Sequence, residues 1–287
     1  MRKFYFQNEK GERKSLNSPN GIMVKNPAGL GFTMKINQAD SEDGFFSVTY
    51  RKQASKSIAF DLLFMNGYKD YKALVTWINS AESLYLVYIP YGAEEYMCSV
   101  SVSYMTKTEL SSGGVLGVPV SLAVLTPWYS PVAYRVSMQE QSSHAMKFPF
   151  RYNSSLIYGA NIAGRYAVEI QPNGHIPASI SVRHSGQLVN PIIQLVGISS
   201  GKTYGKCEIE TTITEGQTLE FSSFVTDTHL RVVNVDGTVT DLTDSINPAE
   251  DPFIRVPLNE PCRLSISSES DISGTVEVSV YYFYRSV

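Results

Sequence analysis

The segment GISSG, at Gly197–Gly201, matches the G-x-S-x-G pattern of a nucleophilic serine, and Ser199 would be the nucleophile. The pattern works in esterase-like hydrolases because a sharp strand-to-helix turn exposes the serine at the top of a sheet. The residues that follow, KTYGKCEIETTI, include glycine and β-branched side chains and are typical of a strand. The single histidine downstream is His229. We therefore predict a loop here and no catalytic residue.

The histidines do not have the spacing of a metal site. Ligands that share one element usually follow a short repeat such as HxH or HxxxH, and none of the four histidines does: His144, His175, His184 and His229. His184 stands at the end of an alternating run, so we expect it to be a surface or strand-end residue. The pattern predicts neither a metal nor a cofactor.

An acidic loop late in the chain has the composition of a calcium site. Carboxylates are preferred calcium ligands, and four acidic residues lie near one another in sequence: Asp241, Asp244, Glu250 and Asp251. The segment lacks the regular D-x-D-x-D-G ladder of a calcium-binding loop. We therefore expect a solvated loop without a bound ion.

Two further motifs are incomplete. Gly29–Gly31 could be half of a dinucleotide-binding fingerprint, but the third glycine is missing and no crossover helix follows, so we expect a turn. The cysteines at Cys98, Cys207 and Cys262 are too few and too scattered for a disulfide framework or a zinc site. Cys98 and Cys207 lie in strand-like alternation and are expected to be small buried apolar residues.

Sugar chemistry is harder to judge from sequence. Glycoside hydrolysis needs two carboxyl groups ~5–9 Å apart, and spacing along the chain cannot establish that separation. Sugar binding without hydrolysis commonly uses exposed aromatic faces, and YYFY at Tyr281–Tyr284 offers aromatic residues on both faces of a strand. A last strand that turns alternate rings inward is the simpler explanation, and no tryptophan occurs after residue 131.

The composition favours strands and a partly covered surface. The chain has 287 residues, with 18 Tyr and 13 Phe against 2 Trp, and 18% of its residues are charged, which is below the usual quarter. Tyr and Phe fit half-buried pleated surfaces, and a charge-poor surface suggests that partners cover more area than usual. Neither half has the basic stripe that gives non-specific affinity for nucleic acid.

The first residues lack the apolar core of a signal peptide, because Asn8, Glu9 and Lys10 come too early. No run of the sequence approaches the ~20 apolar residues needed to span a bilayer. We expect a protein that is made in a cytoplasm and stays soluble.

One helix is indicated, at about residues 67–80. Apolar residues recur there at helical spacing and form a single stripe: Tyr68, Tyr71, Leu74, Val75 and Ile78. Strand-length runs surround the helix, and in VLGVPVSLAVL the alternate residues from Leu116 to Val124 form one apolar face.

A boundary follows at LTPWYSPVAY, where prolines on both sides of Trp128-Tyr129 stop a strand and stiffen the connection. From about residue 133 onward, short strands separated by Gly, Pro and Asn indicate a β-sandwich or jelly roll. Asp236-Gly237 has the sequence of a two-residue hairpin turn. The predicted fold is mainly β: an α+β domain at residues 1–131 and an all-β sandwich at residues 132–287.

Taken in order, several segments resemble the distal tail proteins of long-tailed phages and prophages that infect Gram-positive bacteria. The N-terminal part is similar to their belt domain, a β-sandwich with a hairpin and one helix, in LYLVYIPYGAEEY, in Lys107–Glu109 and in Thr126–Tyr129. The segment GHIPASISVRHSGQLVNPIIQL resembles the first strands of their galectin-like C-terminal domain. The resemblance covers nearly the whole chain.

The resemblance implies a virion structural protein, a baseplate hub without enzymatic activity. Such proteins form a homo-oligomer, a hexameric ring built through the belt domain. The ring meets the tail tube protein above and a tail-associated lysin, tail fibre or receptor-binding protein below, and DNA passes through it without sequence-specific binding. The implied location is the tail tip of the virion, after assembly in the cytoplasm of the host bacterium.

The C-terminal domain departs from the galectin pattern where galectins bind sugar. Galectins use an H-x-N-P-R segment and a stacking tryptophan. Here His184 precedes Asn190 by six residues, no arginine follows Pro191, and the tryptophan is absent. The resemblance therefore implies the galectin-like fold, and binding of host cell-wall saccharide is kept as an alternative function.

Overall fold

A computed structural model describes most of the chain as strands. The described residues are 2–40, 46–91, 94–135, 138–139, 165–247, 253–269, 272 and 274–287. Strands dominate among them and one α-helix occurs, which confirms the mainly-β prediction.

The chain divides into two compact units, one of residues 1–130 with 283–287 and the other of residues 131–282. The predicted boundary at 131/132 lies beside this division. The sequence pattern does not indicate that the last five residues join the first unit.

The first unit contains ten strands and the helix. They are β1 (Lys3–Asn8), β2 (Arg13–Ser15), β3 (Ile22–Ala28), β4 (Met34–Asp40), β5 (Phe46–Gln53), β6 (Lys56–Phe64), α1 (Tyr68–Ser80), β7 (Leu84–Ile89), β8 (Tyr96–Met105), β9 (Leu116–Val124) and β10 (Trp128–Arg135), of which β10 continues into the second unit.

Seven of these strands form an antiparallel sheet in the order β2-β1-β7-β8-β9-β6-β3. The two ends of the sheet approach each other through the segment that follows β2. Leu16 N donates to Phe4 O of β1 at 3.0 Å, and Val24 N of β3 donates to Leu16 O at 2.8 Å. The sheet therefore almost closes on itself, which covers edges that would otherwise be open to pairing.

Strict alternation in the sequence produces the core of this unit. Successive side chains of a strand point to opposite faces, and the inward residues of β1, β6 and β9 are almost fully buried: Phe4, Phe6, Ile58, Phe60, Leu62, Phe64, Leu116, Val118, Val120 and Leu122. Each side chain of this kind contributes about 1.5–3 kcal/mol when it leaves water. The alternation predicted for β9 is confirmed.

The helix α1 lies close to its predicted position. Asp70 in its first turn is placed favourably for the helix dipole. Leu74 is buried, and Tyr71, Val75 and Ile78 are half-buried, as the predicted apolar stripe requires. Tyr68 differs, since it is 36% exposed at the start of the helix and its ring lies 4.2 Å from Lys107 Nζ.

The second unit is built from short strands. They are β11 (Met138–Gln139), β12 (Arg165–Ile170), β13 (Ile176–Ser185), β14 (Leu188–Val189), β15 (Ile192–Gly197), β16 (Thr203–Glu208), β17 (Thr212–Ile213), β18 (Thr218–Phe224), β19 (Asp227–Val233), β20 (Val239–Asp241), β21 (Arg255–Val256), β22 (Cys262–Ser267) and β23 (Thr275–Tyr284), with a 3₁₀ helix at Thr243–Ser245.

Two sheets make up most of this unit. One runs β23-β13-β18-β19-β20 and the other β11-β12-β22-β15-β16. The Tyr166 ring of β12 lies 5.9 Å from the His184 ring of β13, so the two sheets face each other across a shared core. This is a sandwich of the type predicted for the C-terminal part.

The turn at Asp236-Gly237 is longer than predicted. The last pair of the β19–β20 hairpin is Val233 with Val239, and Asn234 N donates to Thr238 O at 2.8 Å. Three residues therefore form the loop, with Gly237 at φ +82° as its left-handed residue. A three-residue loop that ends in a left-handed residue is the next most common hairpin after the two-residue type.

Among the described residues, no helix is long and apolar enough to cross a membrane.

Replacing Gly29 by alanine is expected to destabilise the protein. Gly29 has φ +81°, and a β-carbon there would lie 2.2 Å from the carbonyl oxygen of Ser57 in β6. Backbone strain of this kind costs on the order of 1–3 kcal/mol, so the free energy of unfolding in urea should fall by at least this amount.

Gly31→Ala is the matched control, because no atom lies within 4 Å of its β-carbon position. It should change the free energy of unfolding by less than about 0.5 kcal/mol. Equal effects of the two substitutions would contradict the assigned turn.

Candidate functional site

Strands β4 and β5 form a two-stranded antiparallel ribbon, which we call the arm. Within the described residues, no other strand pairs with it. An isolated two-stranded hairpin is marginally stable in water. The arm is therefore the element of the first unit that depends most on a further contact.

The register gathers the apolar residues of the arm on one face, which we call the apolar face, although their directly opposed partners there are Gln53, Arg51 and Gln38. Ile36 and Val48 are 49% and 57% exposed, and both point to the same side as Met34. They share that side because the register shifts between Asn37 and Gln38 and leaves Thr49 as an extra residue. The Thr49 hydroxyl donates to Asn37 O at 3.2 Å and fixes this bulge. Without the bulge, Val48 would point to the other face.

The other face of the arm is polar and carries like charges. Lys35 lies directly opposite Lys52 in the ladder. Like charges at directly opposed positions destabilise a strand pair. Asn37 and Tyr50 form the next pair on this face, and Tyr50 is 46% exposed.

A cavity of about 390 Å³ lies at the base of the arm, where β5 leads into β6 and β9 leads into β10. We call it the basic pocket. Its lining includes three cationic residues, Lys52, Lys56 and Arg285, together with Leu125, Thr126 and Trp128. No acidic residue is found among the described residues that line it. The pocket therefore has the electrostatic character of an anion site.

Lys56 is held firmly in this pocket. Its Nζ donates to Leu30 O at 3.0 Å and lies 5.3 Å from the centre of the Trp128 ring, which is buried. Burial lowers the pKa of the Lys56 ammonium. A cation over an aromatic face is stabilised by about 0.5–2 kcal/mol, and this contact orients the charge toward the pocket wall.

The sequence analysis misses the arm as a functional element. The segment at Phe45–Tyr50 has the pattern of a strand, but its partner β4 has a weak pattern in which Met34 and Ile36 are the only strongly apolar residues. The sequence does indicate the arm indirectly, through two neighbouring strand-length runs, at 34–40 and 46–53, that carry polar residues on both faces of the strand.

The GISSG segment is a loop between β15 and β16, as predicted. A strand follows Ser199, whereas a nucleophile elbow needs a helix. The carboxylate of Glu260 holds the loop: it accepts hydrogen bonds from Tyr204 Oη, from Ser200 Oγ at 2.7 Å and from Ser200 N at 3.1 Å. These bonds, with that from Tyr204 the strongest, lower the pKa of Glu260. The arrangement stabilises a turn.

The expectation that His184 is a surface residue is wrong. It is the penultimate residue of β13, as a strand-end position requires, but it is fully buried. The reason is the alternation of side chains along the strand. His184 lies on the same face of β13 as Ile180 and Val182, which are also fully buried. The structure does not bring the histidines together: His175 is exposed, His229 Nδ1 lies 3.0 Å from Asp227 Oδ1, and His144 lies outside the described residues.

The acidic loop is partly described. Asp241 accepts hydrogen bonds from Thr243 N at 2.8 Å and Thr243 Oγ1 at 2.6 Å, which lower its pKa and form a turn. Asp244 lies in the 3₁₀ helix that follows, and Glu250 and Asp251 lie outside the described residues. In the described part of the chain, no group of three or more His, Cys, Asp or Glu side chains could hold a metal ion.

The aromatic run at the end of the chain faces the core. Tyr282, Phe283 and Tyr284 are less than 10% exposed, and Tyr281 is half-buried. Phe283 packs edge-on against Tyr129 with ring centres 6.0 Å apart. These rings stabilise the fold and are not placed to stack on a sugar.

Replacing Glu260 by glutamine is expected to lower the melting temperature at neutral pH, because the amide cannot accept all the hydrogen bonds that the carboxylate accepts. A depressed pKa in the folded state means that the stabilisation is present above the unfolded value near 4.5 and is lost as pH falls through the folded value. The difference in melting temperature between wild type and Glu260→Gln should therefore shrink below pH 4.5.

Glu215→Gln, at an exposed turn position, is the control and should melt like the wild type at each pH. A constant gap between wild type and Glu260→Gln from pH 7 to pH 3 would contradict the role of the charge.

The three cysteines are buried, as expected for Cys98 and Cys207. Burial raises the pKa of Cys207 to about 12 and that of Cys262 to about 11, and it also raises the pKa of Cys98. Because the thiolate is the reactive form, we expect no reaction with a disulfide reagent in the native protein and reaction of all three thiols in urea. A thiol that reacts equally fast in both states would contradict this packing.

Comparison with known protein families gives a match within the first unit. Residues 3–125 match the family model described as distal tail protein, N-terminal domain. No curated protein sequence matches the chain.

Two solved structures share the fold over the whole chain. A chain of the phage P2 baseplate in its activated conformation with Ca has a TM-score of 0.67 at 14% identity and covers 100% of both chains. The Dit protein of phage SPP1, described as a paradigm of the hub adsorption apparatus in phages that infect Gram-positive bacteria, has a TM-score of 0.57 at 8% identity. That match covers 97% of this chain and 98% of the SPP1 chain. Residues 3–125 are thus similar to the N-terminal domain of distal tail proteins, and the two solved structures share the fold of the chain.

Proposed function

We propose that this chain forms a hexameric ring at the tail tip of a long-tailed phage or prophage. The observation that supports ring formation best is the arm, whose apolar residues Ile36 and Val48 are exposed in the single chain. Burying exposed apolar surface is the main driving force of protein association. We propose that a second copy of the chain covers this exposed surface.

The form of the interface follows from the shape of the arm. An arm on one side and a receiving surface on the other are different patches, so their contact is heterologous. A heterologous contact repeated by a fixed rotation closes into a ring when the rotation divides the circle. Six copies are proposed because the resemblance to distal tail proteins, whose N-terminal domain model matches residues 3–125, implies a hexameric ring.

The proposed ring joins the tail tube to the tip. The tail tube protein is its partner on one side, and a tail-associated lysin, tail fibre or receptor-binding protein is its partner on the other. DNA passes through the lumen without sequence-specific binding, and the lumen should avoid strong positive charge because phosphate contacts would retard the DNA. The ring is proposed to assemble in the host bacterial cytoplasm before it becomes part of the virion.

The second unit is proposed as a galectin-like attachment domain. The alternative, binding of host cell-wall saccharide, would need aromatic faces that are open to solvent. The rings of Tyr282–Tyr284 are buried, and in the described part of this unit Phe253 is the one large aromatic residue that is more than a third exposed. A scaffold role is therefore favoured over sugar binding.

Charged residues on the apolar face of the arm should abolish the ring without unfolding the chain. In the double variant Ile36→Asp, Val48→Asp, each carboxylate would have to be buried at the interface, which is strongly unfavourable. We expect light scattering and negative-stain images to show six-membered rings for the wild type and single chains for the variant. The melting temperature should hardly change, because both side chains are exposed in the single chain.

The double variant Asn37→Asp, Ala39→Asp is the matched control, since it adds the same two charges at exposed positions on the polar face of the arm. It should still assemble. A wild-type protein that stays monomeric at high concentration, or an Ile36→Asp, Val48→Asp variant that still forms rings, would overturn the proposal.

A further inference from the structure

The basic pocket collects positive charge that no carboxylate compensates in the described part of the chain. Lys52, Lys56 and Arg285 all line it. Among the described residues, no carboxylate forms an ion pair with Lys52 or Lys56. Lys35 lies directly opposite Lys52 in the arm and adds a further like charge beside the pocket. A negatively charged group in the pocket would relieve this repulsion.

Lys56 is ordered before any ligand arrives. Its Nζ donates to Leu30 O at 3.0 Å and lies 5.3 Å from the centre of the Trp128 ring. An ammonium group has three N–H donors, so two remain after the bond to Leu30. Because the side chain is already fixed, it loses little conformational freedom on binding. Burial lowers the pKa of this ammonium, and a bound anion would favour its charged form.

Thr126 can offer the pocket a neutral donor beside the cations. It lines the pocket and is 4% exposed. Its Oγ1 accepts a hydrogen bond from Ser99 N at 2.9 Å, which fixes the position of the hydroxyl oxygen. A hydroxyl group also has one proton to donate, and the bond from Ser99 does not use it. The lining therefore combines charged and neutral donors.

The charge of the lining favours a phosphate group over a carboxylate. A carboxylate carries one negative charge, whereas a phosphate group carries about −1.5 to −2 at pH 7 and has three strong acceptor oxygens. Three cations and a hydroxyl match the phosphate group better in both respects. A nucleic-acid backbone would need a basic stripe, and the pocket is a single concave site. One phosphate group is therefore the ligand class that fits.

The pocket has room for more than the phosphate itself. Its volume of about 390 Å³ lies at the lower end of the ~300–1,000 Å³ range of small-molecule sites. Apolar side chains contribute to the lining, and one of them, Leu125, is 59% exposed. An apolar substituent on the phosphate group could cover this surface.

We propose that the basic pocket binds a phosphate group, and that the bound group ties the base of the arm to the sheet. Lys52 belongs to β5 of the arm, whereas Lys56 begins β6 and Thr126 lies between β9 and β10. A ligand that contacts both sides would restrict the arm at its base. The inference goes beyond the proposed ring, because such binding is a property of the single chain.

Calorimetric titration of the full chain with inorganic phosphate, at constant ionic strength, tests the binding. Two or three charge-assisted hydrogen bonds should give saturable binding with a dissociation constant on the order of 1 mM. Acetate should bind at least about tenfold more weakly, because it brings less charge and fewer acceptor atoms. An absence of saturable phosphate binding, or acetate that binds equally well, would overturn the proposal.

Two variants assign the binding to this pocket. K52M and K56M each remove one cation and keep most of the apolar stem, and each should weaken phosphate binding at least about tenfold. K72M is the control, because it removes the same charge from an exposed position of α1 outside the pocket lining. Lys52 is exposed, so K52M remains a fair test if K56M changes the melting temperature. Phosphate binding that survives in K52M would contradict the assigned site.

Hydrogen exchange followed by mass spectrometry tests the tie between the arm and the sheet. Phosphate should slow amide exchange in peptides that cover residues 50–56, at the base of the arm. Peptides from α1 should exchange at an unchanged rate, and K52M should show no slowing at either place. Phosphate that binds but leaves exchange at residues 50–56 unchanged would overturn the tie.

A comparison of inorganic phosphate with phenyl phosphate identifies the source of the group. Tighter binding of phenyl phosphate would indicate a phosphate ester of a larger molecule, whose apolar part covers Leu125. Equal binding would indicate free phosphate. These results are independent of the ring: a chain that binds phosphate but forms no ring would overturn the proposed function alone, and rings without phosphate binding would overturn this inference alone.

Discussion

In the part of the chain that the structure describes, the apolar residues Ile36 and Val48 of the arm are open to solvent, and the proposed assembly depends on this exposure. The other strands of the first unit avoid it, because their sheet nearly closes through the hydrogen bonds of Leu16 and turns its apolar side chains inward. Strands β4 and β5 leave that sheet and pair with each other. Stable domains bury each apolar face in a second layer. For the arm, the proposed second layer is another copy of the chain.

The sequence predicts the closed part of the fold better than the arm, for a physical reason. Strict alternation in β9 marks a strand with one buried face, and the helical spacing around Leu74 marks the helix, because both patterns are local. The apolar face of the arm is not local. Val48 joins Ile36 through a bulge at Thr49, and a bulge reverses the parity of every residue beyond it. Residues 283–287, which join the first unit, likewise depend on tertiary packing.

Whether a sequence motif correctly predicts a functional site depends on the secondary-structure element that follows it. GISSG has the residues of a nucleophile elbow, but β16 follows it, and Ser200 and Tyr204 hold the loop to Glu260. For His184 the error is the opposite one. Its polar residue type suggests a surface position, whereas its position in the strand determines that it is buried. Its parity with Ile180 and Val182 places it in the core. In both cases the position in the strand ladder determines the role, and the residue type alone is misleading.

The two faces of the arm suit different parts of assembly. Apolar burial is non-directional and scales with area, so Ile36 and Val48 can supply affinity but cannot specify which end of the arm meets which end of a neighbour. Charge lies on the other face, where Lys35 and Lys52 are directly opposed and Lys52 also lines the basic pocket. Electrostatic complementarity contributes to specificity and register more than to affinity. In the proposed ring, the apolar residues of the arm would therefore supply affinity, and its cationic face would select the surface that it meets.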